Sequence, residues 1–262
     1  MQTFLDLYRY RFILSNLVGR NLKVMYRSMS LGMLWTLLNP LVMITTLTVI
    51  WVVVFGNSLS FAARVIVALI PYNFTVYCLT GCVHAIPGSA SLVKKSAFPR
   101  QILPIAIIAT HLIHFGIQSL LMVLMLLLFP LEGGHIGFHL LWVVPIFLVQ
   151  LAMCIGVGLL VAGLNVIYRD VQYITESLLT VLFWICPLVY SDVELSKLSP
   201  WLYHLFYLNP LSGLLTSYRD VLFHGHAPGL VPFGQAVVGT LVVGWFGMRT
   251  FWKYEREFAD LV

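Results

Sequence analysis

The chain has 262 residues, of which 60% are hydrophobic and 10% charged, and its formal net charge is +5. Soluble domains carry about 25% charged residues, whereas this chain has a mean hydropathy of +0.93. The composition excludes an ordinary soluble domain and predicts an integral membrane protein. The positive charge is then a signal of membrane topology and gives no reason to expect nucleic acid as a partner.

The first predicted element is a basic amphipathic helix over residues 3–27. Apolar side chains recur there at helical spacing, and cations occupy other positions around the helix: Arg9, Arg11, Arg20, Lys23 and Arg27. A helix of this kind lies in the headgroup layer of the membrane. We therefore expect an interface helix at the N-terminus, and five basic residues ahead of the first apolar run argue against a cleaved signal peptide.

Long uncharged runs predict six membrane-spanning helices. These runs cover 28–63, 65–93, 101–131, 133–168 and 221–248, and a sixth run, 171–191, contains only Glu176. Each is long enough to cross roughly 30 Å of hydrocarbon as a helix, and none alternates in polarity as a barrel strand would. We predict an all-α protein with spans at 31–55, 65–89, 103–129, 140–165, 172–191 and 230–251.

The Lys and Arg residues predict the orientation of these spans. Twelve of the fifteen fall on one side if the N-terminus is cytoplasmic, and only Arg64, Lys197 and Arg219 fall outside. Cytoplasmic loops carry the excess of Lys and Arg. Both termini are therefore predicted to be cytoplasmic.

A short basic loop, "SLVKKSAFPRQILP" (91–104), joins spans 2 and 3. Pro99 stops a helix and Pro104 begins the next one, so a short helix across the membrane face is predicted. Lys94, Lys95 and Arg100 fit two interpretations equally well, a contact with a partner protein or a plain anchor in the headgroups.

The external segment 192–229 is too long for a turn and too apolar for a solvated loop. Ser199-Pro200 and Asn209-Pro210 each combine an N-cap with proline at the first helical position. Two short amphipathic helices are predicted, both too short to cross. They dip into the outer leaflet or cap the spans.

The tetrapeptide "YRDV" occurs twice, with Arg169-Asp170 at the end of span 4 and Arg219-Asp220 in the second external helix. The flanking sequences share no repeat unit. The predicted topology places the first copy inside and the second on the polar side of the external helix. A headgroup anchor is the alternative for both.

Catalytic chemistry is sparse in this sequence. It contains no Gly-Lys pair, so a nucleotide-binding P-loop of the GxxxxGK[ST] type is excluded. His111 and His114 share a face of span 3, but no third metal ligand is near them in sequence. The four cysteines all lie in predicted spans, where small apolar roles are usual. No catalytic residue, metal or cofactor is expected in the chain itself.

Five stretches in order resemble the membrane subunits of type-2 ABC transporters that export polysaccharides such as O-antigen, capsule and teichoic acid. They are "GRNLKVMYRSMSLGMLWTLLNPL" (19–41), "LVKKSAFPRQILP" (92–104), "LNVIYRDV" (164–171), "CPLVY" (186–190) and "YLNPLSGLLTSYRDVL" (207–222). The resemblance implies a homodimer in the bacterial inner membrane, with two copies of a cytosolic ATPase subunit that bind ATP and Mg. It also implies one transmembrane domain, 1–262, made of an interface helix (1–30), spans 1–5 (31–191), external re-entrant helices (192–229), span 6 (230–251) and a cytoplasmic tail (252–262).

The resemblance also suggests a role for each group of residues. The substrate would be a polyprenyl-diphosphate-linked glycan, moving through a pore between spans 1 and 5 of two copies. Coupling to the ATPase is expected at Lys94, Lys95, Phe98, Pro99, Arg100, Arg169 and Asp170, and the diphosphate is expected at Arg20, Lys23 and Arg27. Pore-lining aromatics would be Trp35, Phe183, Trp184 and Tyr190, and an external gate would involve Tyr207, Asn209, Pro210, Tyr218, Arg219 and Asp220.

Two other functions remain open at this point. An ABC exporter of the same architecture could carry a small lipophilic or drug-like molecule. A membrane transferase or secondary carrier acting alone fits less well, because such carriers need ionisable groups at membrane depth and these spans are nearly free of charge.

Overall fold

Every regular element in the computed structural model is helical within the residues that it describes, which are 9–27, 29–54, 56, 60–95, 98–128, 137–188, 201, 206–255 and 257–261. The ten α-helices used below are α1 (Arg11–Met25), α2 (Trp35–Val49), α3 (Ser60–Val83), α4 (Ala90–Lys95), α5 (Ile102–Leu128), α6 (Val143–Ile167), α7 (Val171–Ile185), α8 (Pro210–Leu222), α9 (Leu230–Tyr254) and α10 (Phe258–Leu261).

Five helical stretches in these ranges are long and apolar enough to cross a membrane. They are Gly32–Val54, Ser60–Val83, Ile102–Leu128, Phe138–Ile167 and Leu230–Tyr254. The first includes a turn of 3₁₀-helix before α2 and a turn of π-helix, Ile50–Val54, after it. These stretches match predicted spans 1, 2, 3, 4 and 6, so the all-α membrane architecture is confirmed.

The predicted bounds of the second and fifth spans need correction. Helix α3 begins at Ser60 and ends at Val83, and a turn of 3₁₀-helix, Pro87–Ser89, follows it within the predicted span. The fifth span, α7, has 15 residues, or about 22 Å of helix. It ends at Ile185 since Cys186 takes an extended conformation ahead of Pro187; predicted positions 189–191 lie outside the described residues.

Helix α3 lies at the centre of the bundle. Most of its residues are buried. Five of the described helices pack against it: α2, α5, α6, α7 and α8. Pro71 in its middle has no N–H to donate to the carbonyl of Val67. The Pro71 carbonyl itself accepts a hydrogen bond from Gln150 Nε2 on α6 at 2.7 Å. Hydrogen bonds from Gln150 to Pro71 and Thr75 therefore join α6 to α3 in the middle of the bundle, which we call the polar centre.

Helices α6 and α9 form the closest helix pair, through glycine. A Cβ atom built on Gly247 of α9 would lie 2.0 Å from the carbonyl oxygen of Gly156 on α6. A Cβ on Gly156 would lie 2.4 Å from Cα of Gly244. Small residues let membrane helices approach backbone to backbone, and at this crossing the two helices leave no space for a side chain at Gly156 or Gly247.

The helix ends divide the bundle into a basic end and an opposite end. At the basic end lie residues 9–27, 29–34, 84–95, 98–101, 168–170, 251–255 and 257–261. Side-chain hydrogen bonds there join Arg20 to Ser89 and Arg100 to Glu255. At the opposite end lies α8, which begins with the predicted N-cap: Asn209 Oδ1 accepts from Leu211 N at 3.1 Å. The other predicted external helix falls mainly outside the described residues.

Candidate functional site

The predicted interface helix is present as α1, and its two faces differ as the sequence predicted. Leu17 is buried and the apolar side packs against α5. The predicted diphosphate ligands Arg20, Lys23 and Arg27 are exposed on the other side. Phe12, an apolar residue near the start of α1, is also exposed.

Arg20 is partly engaged by the protein. Its Nη2 donates to Ser89 Oγ at 3.2 Å and lies 3.4 Å from Asn21 Oδ1. Lys23 and Arg27 make no such side-chain contact within the described ranges. Of the three cations, Lys23 and Arg27 are therefore the more available to an anionic ligand.

The predicted coupling residues lie in two places at the basic end. Lys94 is exposed on α4, and Phe98, Pro99 and Arg100 follow, half-buried. Phe98 packs on the apolar cluster below. Arg169 and Asp170 are exposed in the turn between α6 and α7. The side chain of Lys95 lies outside the described residues.

Arg100 is bound by the C-terminal segment, which the sequence did not predict. Its backbone N–H donates to Glu255 Oε1 at 3.0 Å, and its Nη1 donates to the Glu255 carbonyl. Trp252 Nε1 donates to Gln101 Oε1 at 3.4 Å. Residues 98–101 are therefore held by the end of α9, and Arg100 is less available to a partner than an exposed loop cation would be.

Helix α10 completes this attachment. Phe258 is fully buried, with its ring centroid 5.3 Å from that of Phe251. A Cβ on Gly163 of α6 would lie 3.5 Å from Cζ of Phe258, so glycine leaves room for the ring. Since α10 also packs on α4, the described residues at the C-terminal end, 251–255 and 257–261, form a clamp over the basic loop; they include most of the predicted tail.

A polar pocket opens where α1, α2, α3 and α5 meet. The Tyr26 hydroxyl lies 2.6 Å from Thr36 Oγ1 and 2.7 Å from His114 Nε2, and His114 Nδ1 lies 3.3 Å from His111 Nδ1. The cavity has a volume of about 240 Å³. Its full lining is Met25, Tyr26, Met29, Trp35, Thr36, Asn39, Tyr77, His111, His114 and Gln118. The sequence placed His111 and His114 on one face but gave no sign that Tyr26 would join them.

The exposed surface of α7 is divided into two stripes. The first, called the polar stripe, contains Tyr173, Glu176, Ser177, Thr180 and Trp184. The second, called the apolar stripe, contains Ile174, Leu178, Val181 and Ile185. Each set recurs at intervals of three or four residues, so each lies along one face of the helix. Buried Thr175 and Leu179 form the third face, which packs on the bundle.

Helix α2 carries a similar exposed face. Trp35, Asn39, Val42, Thr46 and Val49 are exposed and spaced by three or four residues. This α2 face is mixed, with an aromatic ring and an amide at its start and a hydroxyl further on. Pro40 and Ile44 are buried on the opposite side.

The predicted pore-lining aromatic residues lie in different surroundings. Trp35 and Trp184 are 43% and 61% exposed and belong to the α2 face and the polar stripe. Phe183 is half-buried, with its ring centroid 5.6 Å from that of Tyr72 on α3. Tyr190 lies outside the described residues.

The predicted external-gate residues on α8 are buried rather than exposed. Arg219 is 1% exposed, and Tyr218 and Asp220 are buried with it. The sequence analysis placed Arg219 on the polar side of the helix; the structure corrects this, since α8 packs against α3, α6 and α9. Asp220 Oδ2 accepts from Gly229 N at 3.0 Å, which ties α8 to the start of α9.

Tyr218 connects α8 to the polar centre. Its hydroxyl donates to Gln150 Oε1 at 2.9 Å. Burial raises the pKa of the Tyr218 phenol, so the group stays a neutral donor. Nearby, Tyr207 Oη lies 3.4 Å from Thr216 Oγ1, and Asn209 Nδ2 lies 3.3 Å from Cys186 Sγ just ahead of Pro210.

Comparison with known proteins identifies the family. A family model described as "ABC-2 type transporter" matches residues 14–223. The O-antigen export system permease protein RfbA of Myxococcus xanthus is 31% identical over 258 residues, which cover 98% of each chain. Two proteins of the same name from Klebsiella pneumoniae are 24% and 23% identical, over 94% of this chain and 93% of theirs. The chain belongs to the ABC-2 type transporter family.

Proposed function

We propose that the chain is the membrane-spanning permease subunit of an ATP-driven exporter, which moves a polyprenyl-diphosphate-linked polysaccharide of the O-antigen type across the bacterial inner membrane. The relatives are named as O-antigen export permeases. ATP and Mg bind to a separate cytosolic ATPase, of which two copies act with two copies of this chain. The basic end faces the cytoplasm, and both termini lie there.

The observation that carries this proposal is the polar stripe on α7. A helix facing only lipid has no reason to expose Glu176, Ser177 and Thr180, because polar groups are costly in hydrocarbon. A hydrated glycan needs hydrogen-bonding groups and aromatic surfaces for its C–H faces, and Tyr173 and Trp184 supply the latter. The apolar stripe beside it is suited to lipid tails.

The α2 face supports a pore shared by two subunits. Helices α2 and α7 both pack on α3 and expose their outer sides. In a homodimer, the α2 face and polar stripe of each copy line a common path. Trp35 stands near its cytoplasmic mouth and Trp184 near its far end, since α2 begins and α7 ends at those positions.

Entry and coupling both occur at the basic end. Lys23 and Arg27 attract the lipid diphosphate as it leaves the inner leaflet. Lys94 and Arg169 are the exposed cations that contact the ATPase. Force applied to residues 98–101 passes through the clamp to α9, because Glu255 and Trp252 hold that loop. At the opposite end, buried α8 closes the path, and Tyr218 connects it to α6.

Deletion of the gene, followed by complementation, tests the function. The deletion strain should accumulate lipid-linked polymer in the cytoplasm and lose the surface polysaccharide, and the wild-type chain should restore export. A Ser177→Leu, Thr180→Leu variant should complement poorly, whereas a matched Leu178→Ala, Val181→Ala variant should complement well. Normal surface polysaccharide in the deletion strain, without cytoplasmic polymer, would disprove the proposed substrate.

A further inference from the structure

We propose that the pocket at Tyr26, Trp35, Asn39, Tyr77 and His111 is a subsite for one sugar ring of the lipid-linked glycan, next to the site of the diphosphate. This inference rests on the proposed function and assigns a task to the cavity at the cytoplasmic start of the proposed path, where Trp35 and Asn39 of the α2 face meet Tyr26 and Tyr77. Polar residues inside a membrane bundle are costly unless they serve a function.

Two polar side chains in the pocket have hydrogen-bonding capacity left for a ligand. Asn39 and Tyr77 line the cavity, and within the described ranges neither side chain makes a hydrogen bond to the protein. An amide offers two donors and an acceptor, and a phenol offers one of each. Sugar hydroxyls both donate and accept, and therefore match this pair.

The other polar groups are fixed, which gives the pocket a rigid frame. Tyr26 is held between Thr36 and His114. Gln118 Nε2 donates to the Thr36 carbonyl at 3.0 Å. His111 and His114 use their Nδ1 atoms on each other, so they do not converge on an ion. A pre-formed site of this kind loses little entropy on binding.

Aromatic rings provide the remaining walls. Trp35 is exposed at the start of the α2 face, and the ring of Tyr77 stacks on His111 with centroids 5.9 Å apart. Rings combined with amide and hydroxyl groups present both the apolar surface and the hydrogen bonds that a pyranose requires. A small lipophilic ligand would leave Asn39 unsatisfied, at a cost of about 1–3 kcal/mol if it were buried.

The volume of the cavity and its position beside α1 indicate a site for a single sugar ring. The cavity of about 240 Å³ is smaller than the roughly 300–1,000 Å³ of pockets for drug-sized ligands. Arg27 directly follows Tyr26 and is exposed, and Lys23 lies one turn earlier on α1. A diphosphate at these cations would place the sugar attached to it beside Tyr26.

Thiol protection tests the subsite in the complete complex with its ATPase, reconstituted in lipid nanodiscs. All four native cysteines are buried, so Asn39→Cys introduces a reactive thiol into the pocket. Polyprenyl diphosphate carrying its glycan should slow maleimide labelling there by about tenfold, whereas sugar-free polyprenyl diphosphate at the same concentration should not. A control thiol, Phe138→Cys at the exposed opposite end of the bundle, should label equally in both cases.

A second variant keeps the native amide in place. Tyr77→Phe removes one hydroxyl and should weaken binding of the glycan lipid about five- to tenfold without weakening binding of the sugar-free lipid. Elution volume and the ratio of ATPase to permease in the purified complex check that this variant is assembled.

The outcomes separate this inference from the proposed function. Equal protection of Asn39→Cys by both lipids would overturn the sugar subsite in favour of a lipid or diphosphate site. No protection by either lipid, in a complex that still exports polymer, would overturn the subsite and leave the exporter intact. Failure of the wild-type complex to bind or export the glycan lipid would overturn both.

Discussion

The backbone N–H of Arg100 and the carboxylate of Glu255 form a hydrogen bond of 3.0 Å that joins the basic loop between α4 and α5 to the end of α9. These residues are 155 positions apart in the chain. The contact means that the loop expected to receive a partner is already anchored to the C-terminal clamp. Loop and clamp therefore respond together to a push from outside the membrane.

The clamp predicts a coupling defect after a single substitution. Phe258→Ala removes a fully buried ring, and a change of this type costs about 3–5 kcal/mol where the site cannot collapse. Because α10 is short and terminal, the expected result is local release of residues 257–261. Limited proteolysis should cut the C-terminus faster, and polymer export per ATP hydrolysed should fall. The exposed Leu261→Ala is the matched control and should leave both measurements unchanged; equal effects would contradict the clamp.

The crossing of α6 and α9 predicts a large difference between two glycines of the same helix. Gly247→Ala places a methyl group 2.0 Å from the Gly156 carbonyl oxygen, whereas Gly234 has no atom within 4 Å of the added Cβ. Overpacking of a tight site costs about 1–3 kcal/mol. The thermal midpoint of the detergent-solubilised protein should fall for Gly247→Ala and stay the same or rise for Gly234→Ala. A fall of the same size in both variants would show that the glycine crossing is not tight.

The two stripes of α7 predict an accessibility pattern. Cysteines placed one at a time at 173, 177, 180 and 184 should react with a membrane-impermeant maleimide in the assembled exporter, because these positions line a hydrated path. Cysteines at 174, 178, 181 and 185 should react slowly, because they face lipid or protein. The native cysteines are buried and give a low background. Uniform reactivity around the helix would rule out the division into stripes.

Removal of the Tyr218 hydroxyl, which donates to Gln150, is predicted to lower the stability of the protein. Tyr218→Phe leaves Gln150 Oε1 without its donor, and a buried unsatisfied acceptor costs about 1–3 kcal/mol. The thermal midpoint should fall. Tyr173→Phe on the exposed side of α7 is the control and should change it little. If both variants behave alike, Gln150 has found another donor, and α8 is not held by this bond.

The orientation of the bundle can be measured at two exposed positions. Arg219 is unsuitable as a label site because it is buried, but Phe138 is 91% exposed at the opposite end. Phe138→Cys should react with an impermeant reagent from the periplasmic side, and Arg169→Cys should react only after the cytoplasmic side is opened. Labelling of Arg169→Cys from the periplasmic side would contradict the predicted topology.

Much of the architecture could be predicted because it follows from runs of uncharged residues. The five long helical stretches and α1 overlap the segments that hydropathy and periodicity predicted, although α3 begins and ends earlier than its predicted span, and Asn209-Pro210 marks the start of α8. Burial inside the bundle could not be predicted in this way. Arg219 and Asp220 are charged, and sequence alone gives no reason to bury them; only packing of α8 against three other helices does so.

The candidate site was predicted less completely, for a similar reason. Exposed Trp35 and Trp184 agree with the predicted aromatics, but Phe183 packs against Tyr72 because it lies on another face of α7. The pocket depends on Tyr26, Asn39, Tyr77 and His111, which come from four separate elements and share no local motif. The contact between Arg100 and Glu255 likewise joins distant segments, and no spacing in the sequence indicates it.

The contact between Gly156 and Gly247 has a mechanical consequence. Because their backbones are in direct contact, α6 and α9 cannot slide or separate without losing many contacts at once. We expect the two helices to behave as one rigid unit of the subunit. Helices α2 and α7 have few fully buried residues and both pack on α3. Low local contact is typical of the elements that move in a conformational change. We therefore expect a push on the clamp to be transmitted through α6 and α9 as one rigid unit, and the movement to occur in α2 and α7, which carry the α2 face and the polar stripe.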